Sequence, residues 1–293
     1  MQIYIVDAFT TKIFSGNQAG VVMLDEDEFL PDAFMLDLAG ELKHSETAFL
    51  KRRDECSFDI RYFTPEAEVD LCGHATIASF VTLYRENVID TGVYSLYTKK
   101  EKLAVWLDQG YVWMEMGSPM LIRDFNEEEA AELYQAYGLT KDHMHKQLRP
   151  KIIQTGLADI FLPVNSEEDL ANLKQDSQRV KTLSEKYQVT GVHAFVCGDK
   201  ASKQDYTAKC RNFAPLFGIE EEAATGTSNG GLAYFLYLEN IVKMDEVHVF
   251  LQGEEMGKSS VIKSALYQKD NKCFVKIGGT ARISMKGKLM PNE

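Results

Sequence analysis

A chain that repeats one ordered set of backbone signals is constrained to fold into two similar halves, and this chain carries such a repeat. Phe58, Ile60 and Tyr62 alternate with polar residues at a period of two, which reads as a strand. Pro65 ends it, a short acidic loop follows, and from Gly73 the period changes. Ile77, Phe80, Val81 and Tyr84 then share one helical face, while Ala75, Ala78 and Leu83 make the other faces apolar as well. That helix is expected to be buried nearly all round. Its first turn, Gly73-His74-Ala75-Thr76, is small or polar, and backbone N–H groups there lack intrahelical acceptors. Together with the positive end of the helix dipole, such a turn is suited to holding an anion.

The series then recurs. Arg211-Asn212-Phe213-Ala214-Pro215 repeats the R-x-F-x-P of Arg61 to Pro65, an acidic loop follows at Glu220, Glu221 and Glu222, and Ala224-Thr225-Gly226-Thr227-Ser228-Asn229 leads into an apolar run from Leu232 to Leu238. One R-x-F-x-P match arises easily by chance. The whole ordered series twice reads as an internal duplication. The expected architecture is two lobes, 1–118 and 119–293, joined at Gly117-Ser118-Pro119, with both helix starts facing one cleft and the last strand free to return to the first lobe.

The remaining patterns add short strands at 3–9, 20–24, from 45 or 46, and at 93–98, 103–107, 111–116, 152–155, 160–164, 192–196, 247–251, 260–267, 273–277 and 281–285. Helical spacing appears at 32–42, with Asp32 read as its N-cap, and at 127–137, 166–174 and 178–187. Gly278-Gly279 reads as a turn, and only 291–293 reads as a disordered tail. Many short strands with two buried helices suit sheets curled around a central helix. A doubly wound parallel sheet would need an amphipathic helix after most strands.

Length and composition set the class. The 293 residues suffice for two ordinary domains, and 45% apolar with 26% charged residues is globular usage. A net charge of −12 without a basic cluster argues against nucleic acid or an anionic membrane as partner. No apolar run is long enough to span a bilayer, and Met1-Gln2-Ile3-Tyr4 enters a strand without a signal-peptide pattern. Five scattered cysteines argue for a reducing compartment, so the expected location is cytoplasmic.

The blocks D-A-F-T-x-x-x-F-S-G-N-Q-A-G-V-V from Asp7, S-E-T-A-F-L from Ser45, and R-Y-F-T-P-x-x-E-V-D-L-C-G-H-A-T from Arg61 continue with T-G-L-A-D from Thr155 and F-A-P-x-x-G-I-E-E-E-A-A-T-G-T from Phe213. Q-G-x-x-M-G-K-S from Gln252 and I-G-G-T-A from Ile277 complete the series. In this order the chain resembles the phenazine-biosynthesis isomerase-like family, whose fold is shared with diaminopimelate epimerase. The resemblance implies an α+β fold of two pseudo-symmetric lobes, each a curled, mostly antiparallel sheet wrapped around a central helix. It also implies a homodimer and a cofactor-independent isomerase acting on a small carboxylate-bearing substrate.

Taken alone, Glu46 reads as a solvated surface carboxylate. By resemblance it is the base that removes a proton from carbon and returns it elsewhere. His74 alone reads as a capping or core histidine; by resemblance it faces the substrate beside Glu46. The implied substrate-binding residues are Ser45 and Gly73 on one side, and Thr225, Gly226 and Thr227 on the other. Glu222 joins Glu46 and His74 as a catalytic candidate, although it stands where the family usually has aspartate, with Ala223 for proline and Thr227 for serine. The extra methylene bears on the substrate pose more than on the reaction class. Related epimerases use two thiols, but the turn from Ala224 to Ser228 has no cysteine, and Cys72 reads as a small buried residue. His143-x-His145 has no third ligand nearby and Cys56, Cys197, Cys210 and Cys273 form no C-x-x-C pair, so no metal is expected. Without G-x-G-x-x-G after a strand or a Walker loop, no cofactor is expected either. An epimerase or lyase starting from the same proton abstraction, and a non-catalytic small-acid-binding protein, remain alternatives.

Overall fold

Alternation over 3–9 produces a strand, β1 (Gln2–Ala8), in the computed structural model, which describes residues 1–24, 28–198 and 205–290. The expected tail at 291–293 lies outside them. The first half continues with β2 (Asn17–Leu24), α1 (Asp32–Leu42), β3 (Thr47–Asp54), β4 (Ser57–Phe63), β5 (Glu68–Val69), α2 (Gly73–Arg85), β6 (Gly92–Tyr97), β7 (Lys102–Asp108) and β8 (Tyr111–Gly117). The second half holds β9 (Met120–Asp124), α3 (Glu127–Gln135), β10 (Lys151–Thr155), β11 (Leu157–Pro163), α4 (Glu167–Ala171), α5 (Ser177–Tyr187), β12 (Gly191–Cys197) and β13 (Ala208–Ala214). It ends with β14 (Ile219–Glu222), α6 (Gly226–Leu238), β15 (Val247–Gln252), β16 (Ser260–Lys269), β17 (Lys272–Gly279) and β18 (Ala281–Lys288). The fold class is α+β. The chain divides into two compact units, Met1–Glu115 with the residues from Gly278 on, and Met116–Ile277.

In the first unit the strands run β18-β1-β2-β3-β4-β6-β7-β8, antiparallel except for the β2–β3 and β4–β6 pairs, with β5 on β4. In the second they run β9-β10-β11-β12-β13-β15-β16, antiparallel except for β11–β12 and β13–β15, with β14 on β13. Over the seven positions from β18 to β7 and from β9 to β16 the two orders are the same, including the places of the parallel pairs. The source of the strand beside β1 and β10 differs: β18 comes from the end of the chain, whereas β9 is the first strand of its own unit.

Each sheet curls around one helix. Every residue of α2 from Gly73 to Leu83 is buried, as is most of α6. The hydroxyls of Thr76, Ser79 and Thr82 return to the carbonyls of Cys72, Ala75 and Ala78 at 2.7–2.8 Å, and Thr76 Oγ1 also meets the Tyr62 hydroxyl at 2.6 Å. In α6, glycines make the room: a Cβ on Gly231 would come within 2.6 Å of the Phe161 ring. On the outer face of the second sheet, α3, α4 and α5 cover Ile152, Ile160, Leu162, Val192 and Ala194. No helix among the described residues is long and apolar enough to cross a membrane.

Several expectations need correction. Asp32 does not cap α1; Pro31 holds the N-cap position, and Asp32 pairs with Arg61 at 2.8 Å. Both acidic loops contain strands, because Arg61 binds Glu68 through two nitrogens (2.7 and 2.8 Å) and Arg211 binds Glu221 likewise (2.9 and 2.8 Å). These forked pairs draw each acidic segment into register beside its strand. Gly278 and Gly279 belong to β17, not to a turn: a Cβ there would lie 2.5 Å from Trp113 and 2.4 Å from Phe9. The strand β9 carries no alternation and is exposed along its length, so pattern reading passed over it.

Candidate active site

The first turn of α2 brings the chemistry of the first unit together. Cys72 is the N-cap, and Thr76 N–H closes the first helical bond on its carbonyl at 3.1 Å. That leaves the Gly73, His74 and Ala75 N–H groups as the donors at the helix start. His74 is buried among side chains from its own helix cap and two other segments. Its Nδ1 lies 3.3 Å from Asn17 Nδ2 and 3.4 Å from Cys72 Sγ. Its Nε2 lies 3.3 Å from Ser45 Oγ and 3.3 Å from Glu46 Oε2. Burial pushes the His74 pKa down and the Glu46 carboxylate opposes this only in part, so the ring works as a neutral hydrogen-bonding group rather than a cation. With an amide N–H facing Nδ1, the ring hydrogen belongs on Nε2, toward Ser45 Oγ.

Glu46 precedes β3. Its carbonyl accepts from Gly20 N–H at 3.1 Å, which begins the β2–β3 ladder one residue before the strand itself. The backbone is therefore fixed while the side chain remains only 16% exposed. No hydrogen-bond donor is aligned on its Oε2. A carboxylate with one oxygen uncommitted, beside a neutral imidazole and a helix N-terminus, can accept a proton from a bound acid. Glu46, Cys72 and His74 are also the donor atoms with which this unit could hold a metal ion.

The second unit builds a different version of the turn. Thr225 caps α6, and its hydroxyl donates to Glu222 Oε2 at 2.7 Å. Gln252 joins the pieces: its Oε1 accepts from Thr225 N–H (3.2 Å) and Asn229 Nδ2 (2.7 Å), while its Nε2 donates to the Glu222 carbonyl at 2.8 Å. Gly226 and Thr227 follow at the open end of the helix. Beneath it, buried Asp159 accepts from Ser228 Oγ (2.5 Å) and Gly191 N–H (3.1 Å), and burial raises its pKa.

The structure thus gathers Ser45, Glu46, Gly73 and His74 at one helix start, and Glu222, Thr225, Gly226 and Thr227 at the other. Sequence reasoning missed Asn17 and Gln252, which position these groups. Both stand inside recognised motif blocks, and that was the available signal.

Matching strand registers sharpen the comparison of the units. Phe63 faces Thr47 as Phe213 faces Val192, so Gly191 occupies the place of Glu46. A Cβ on Gly191 would meet the Phe213 carbonyl at 2.1 Å, which excludes any side chain there.

A family model described as phenazine biosynthesis-like protein matches residues 6–287. The uncharacterized isomerase YddE of Escherichia coli K12 is 32% identical over 292 residues, covering 96% of each chain. Among solved structures, a phenazine biosynthesis protein of the PhzF family from Enterococcus faecalis has a TM-score of 0.78 at 28% identity, covering 99% of both chains. The Bacillus anthracis PhzF-family protein has a TM-score of 0.88 at 21% identity, also covering 99% of both.

Proposed function

The chain belongs to the phenazine biosynthesis-like family, and from that premise we propose that it is a cofactor-independent isomerase that moves a proton on a small carboxylate-bearing substrate. Glu46 is the base. The N–H groups at the start of α2 bind the substrate carboxylate, and neutral His74, paired with Ser45 through Nε2, lies beside Glu46. Within the second unit, Glu222, Thr225, Gly226 and Thr227 take the corresponding substrate-facing role at the start of α6.

The observation that carries this reading is the uncommitted oxygen of Glu46, beside His74 at 3.3 Å. The glycine in the equivalent place of the other unit supports a single base that takes the proton and returns it to another carbon. We further place the protein in the cytoplasm, in keeping with its five scattered cysteines, and as a homodimer. Sedimentation at micromolar concentration should give twice the 33.1 kDa chain mass; a monomer alone contradicts the dimer.

The test starts with a thermal-shift screen of small amino and hydroxy acids, since a ligand bound to the native state raises the melting temperature. Turnover of a hit in heavy water should place deuterium on a substrate carbon. Glu46→Gln should keep ligand affinity within roughly tenfold while lowering the rate by about 10²–10⁴. Near wild-type turnover in that variant removes Glu46 as the base.

A further inference from the structure

We propose that Glu46, Cys72 and His74 form a site for a zinc-like divalent cation, which acts as an inhibitor of the proton transfer rather than a participant in it. The binding half of this inference stands on the donors alone; only the inhibition rests on reading Glu46 as the base.

Glu46, Cys72 and His74 each offer one ligand atom, and the three atoms lie within 4.8 Å of one another. His74 Nε2 is 3.3 Å from Glu46 Oε2 and 3.9 Å from Cys72 Sγ. Bonds of about 2.0–2.3 Å to a tetrahedral ion set neighbouring donors roughly 3.3–3.7 Å apart. One of the three edges is therefore in place, and the other two, at 3.9 Å and within 4.8 Å, close with a side-chain shift. Cys72 and His74 are fixed by the start of α2, and Glu46 by the β2–β3 ladder.

The chemistry of the set selects the ion. A thiolate and an imidazole favour zinc over magnesium or calcium, which prefer oxygen alone. On binding, the Cys72 thiol releases its proton to solvent. The thiolate and the Glu46 carboxylate then offset both charges of the cation, so the buried site becomes neutral overall. Ligation through Nε2 moves the ring hydrogen to Nδ1, where Asn17 waits at 3.3 Å. Turned end for end, the Asn17 amide presents its oxygen to that N–H, the support that metal-bound histidines commonly have.

Two features fit a metal, and only the first also serves the proton transfer. Glu46 Oε2 is buried with no aligned donor, and the Cys72 thiol packs on the imidazole without serving any step. With three protein donors, the fourth position of the ion is left for water or for a substrate oxygen. An ion held there occupies the lone pair that Glu46 needs to accept a proton.

Zinc sulfate titrated calorimetrically into the reduced full-length protein, with a non-thiol reductant, should show one saturable, EDTA-reversible site per chain. Cys72→Ala and Glu46→Gln should each weaken it at least about tenfold, and Asn17→Ala by a similar factor. Cobalt(II) should give a thiolate-to-metal charge-transfer band in the wild type that Cys72→Ala lacks, and the wild-type band is informative even if that variant fails to fold. Absence of saturable zinc binding overturns the proposal, as does binding undiminished in both ligand variants or a cobalt complex without the thiolate band. Zinc bound as described while the Glu46→Gln enzyme turns over normally would instead refute the base assignment and leave the metal site standing.

Discussion

His193 sits in the second sheet with no exposure at all, and burial pushes its pKa down to about 3. His74 is shifted the same way. The unfolded chain protonates both near 6.5, so below that pH it binds more protons than the native state, and stability falls as pH falls. For His193 the loss runs from about pH 6.5 toward 3, at roughly 1.4 kcal/mol per pH unit. Urea melts at pH 7, 5.5 and 4.5 should show this decline, and His193→Gln should flatten it while costing some stability at pH 7. The residues that emerged from sequence were those whose neighbours in the chain form a motif, such as Glu46 and His74. Asn17 and Gln252 act across 57 residues to His74 and 23 to Asn229. Sheet register alone makes those contacts, and local patterning cannot supply register.

Helices were legible at the scale of elements because their periods are long: the boundaries of α1 and the start of α2 agree with the spacing of apolar residues. Two-residue pairings such as β5 lie below what alternation can reveal, and there the forked Arg–Glu pairs decide the structure. The two pairs are not equivalent. Arg211 Nη1 also donates to the carbonyls of Leu170, Ala171 and Leu173 at 3.0–3.4 Å, closing the end of α4, whereas Arg61 Nη1 reaches only the exposed carboxylate of Asp32. A lysine cannot reproduce the fork, so Arg211→Lys should cost about 2 kcal/mol and Arg61→Lys about half as much, read from urea midpoints. Gly231→Ala gains about 1 kcal/mol of helix propensity. It also drives a methyl into the Phe161 ring at 2.6 Å, an overpacking that costs about 1–3 kcal/mol. The net change should be destabilising.

At the scale of the whole molecule, duplication was readable from the repeated R-x-F-x-P series. The edge that the last strand joins was not, because nothing in a strand's own residues names its partner. β18 pairs with β1 from Gln2–Lys288 to Ala8–Ala281, and Phe9 N–H donates to the Thr280 carbonyl at 2.8 Å. A chain stopped after Ile277 should therefore expose β1 and the α2 core. Limited proteolysis should then cut within residues 1–115 while sparing 116–277. The same pairing governs how the protein is made. When residue 115 leaves the ribosome the first sheet lacks a strand, and at about 5–20 residues per second the missing one follows roughly ten to thirty seconds later. The second unit, whose strands are all encoded in one continuous stretch, is fully synthesised at Ile277, just before β18 emerges, so the half synthesised first is still the half completed last. During the wait its apolar helix needs cover, which makes nascent chains of this protein natural clients for a ribosome-associated chaperone.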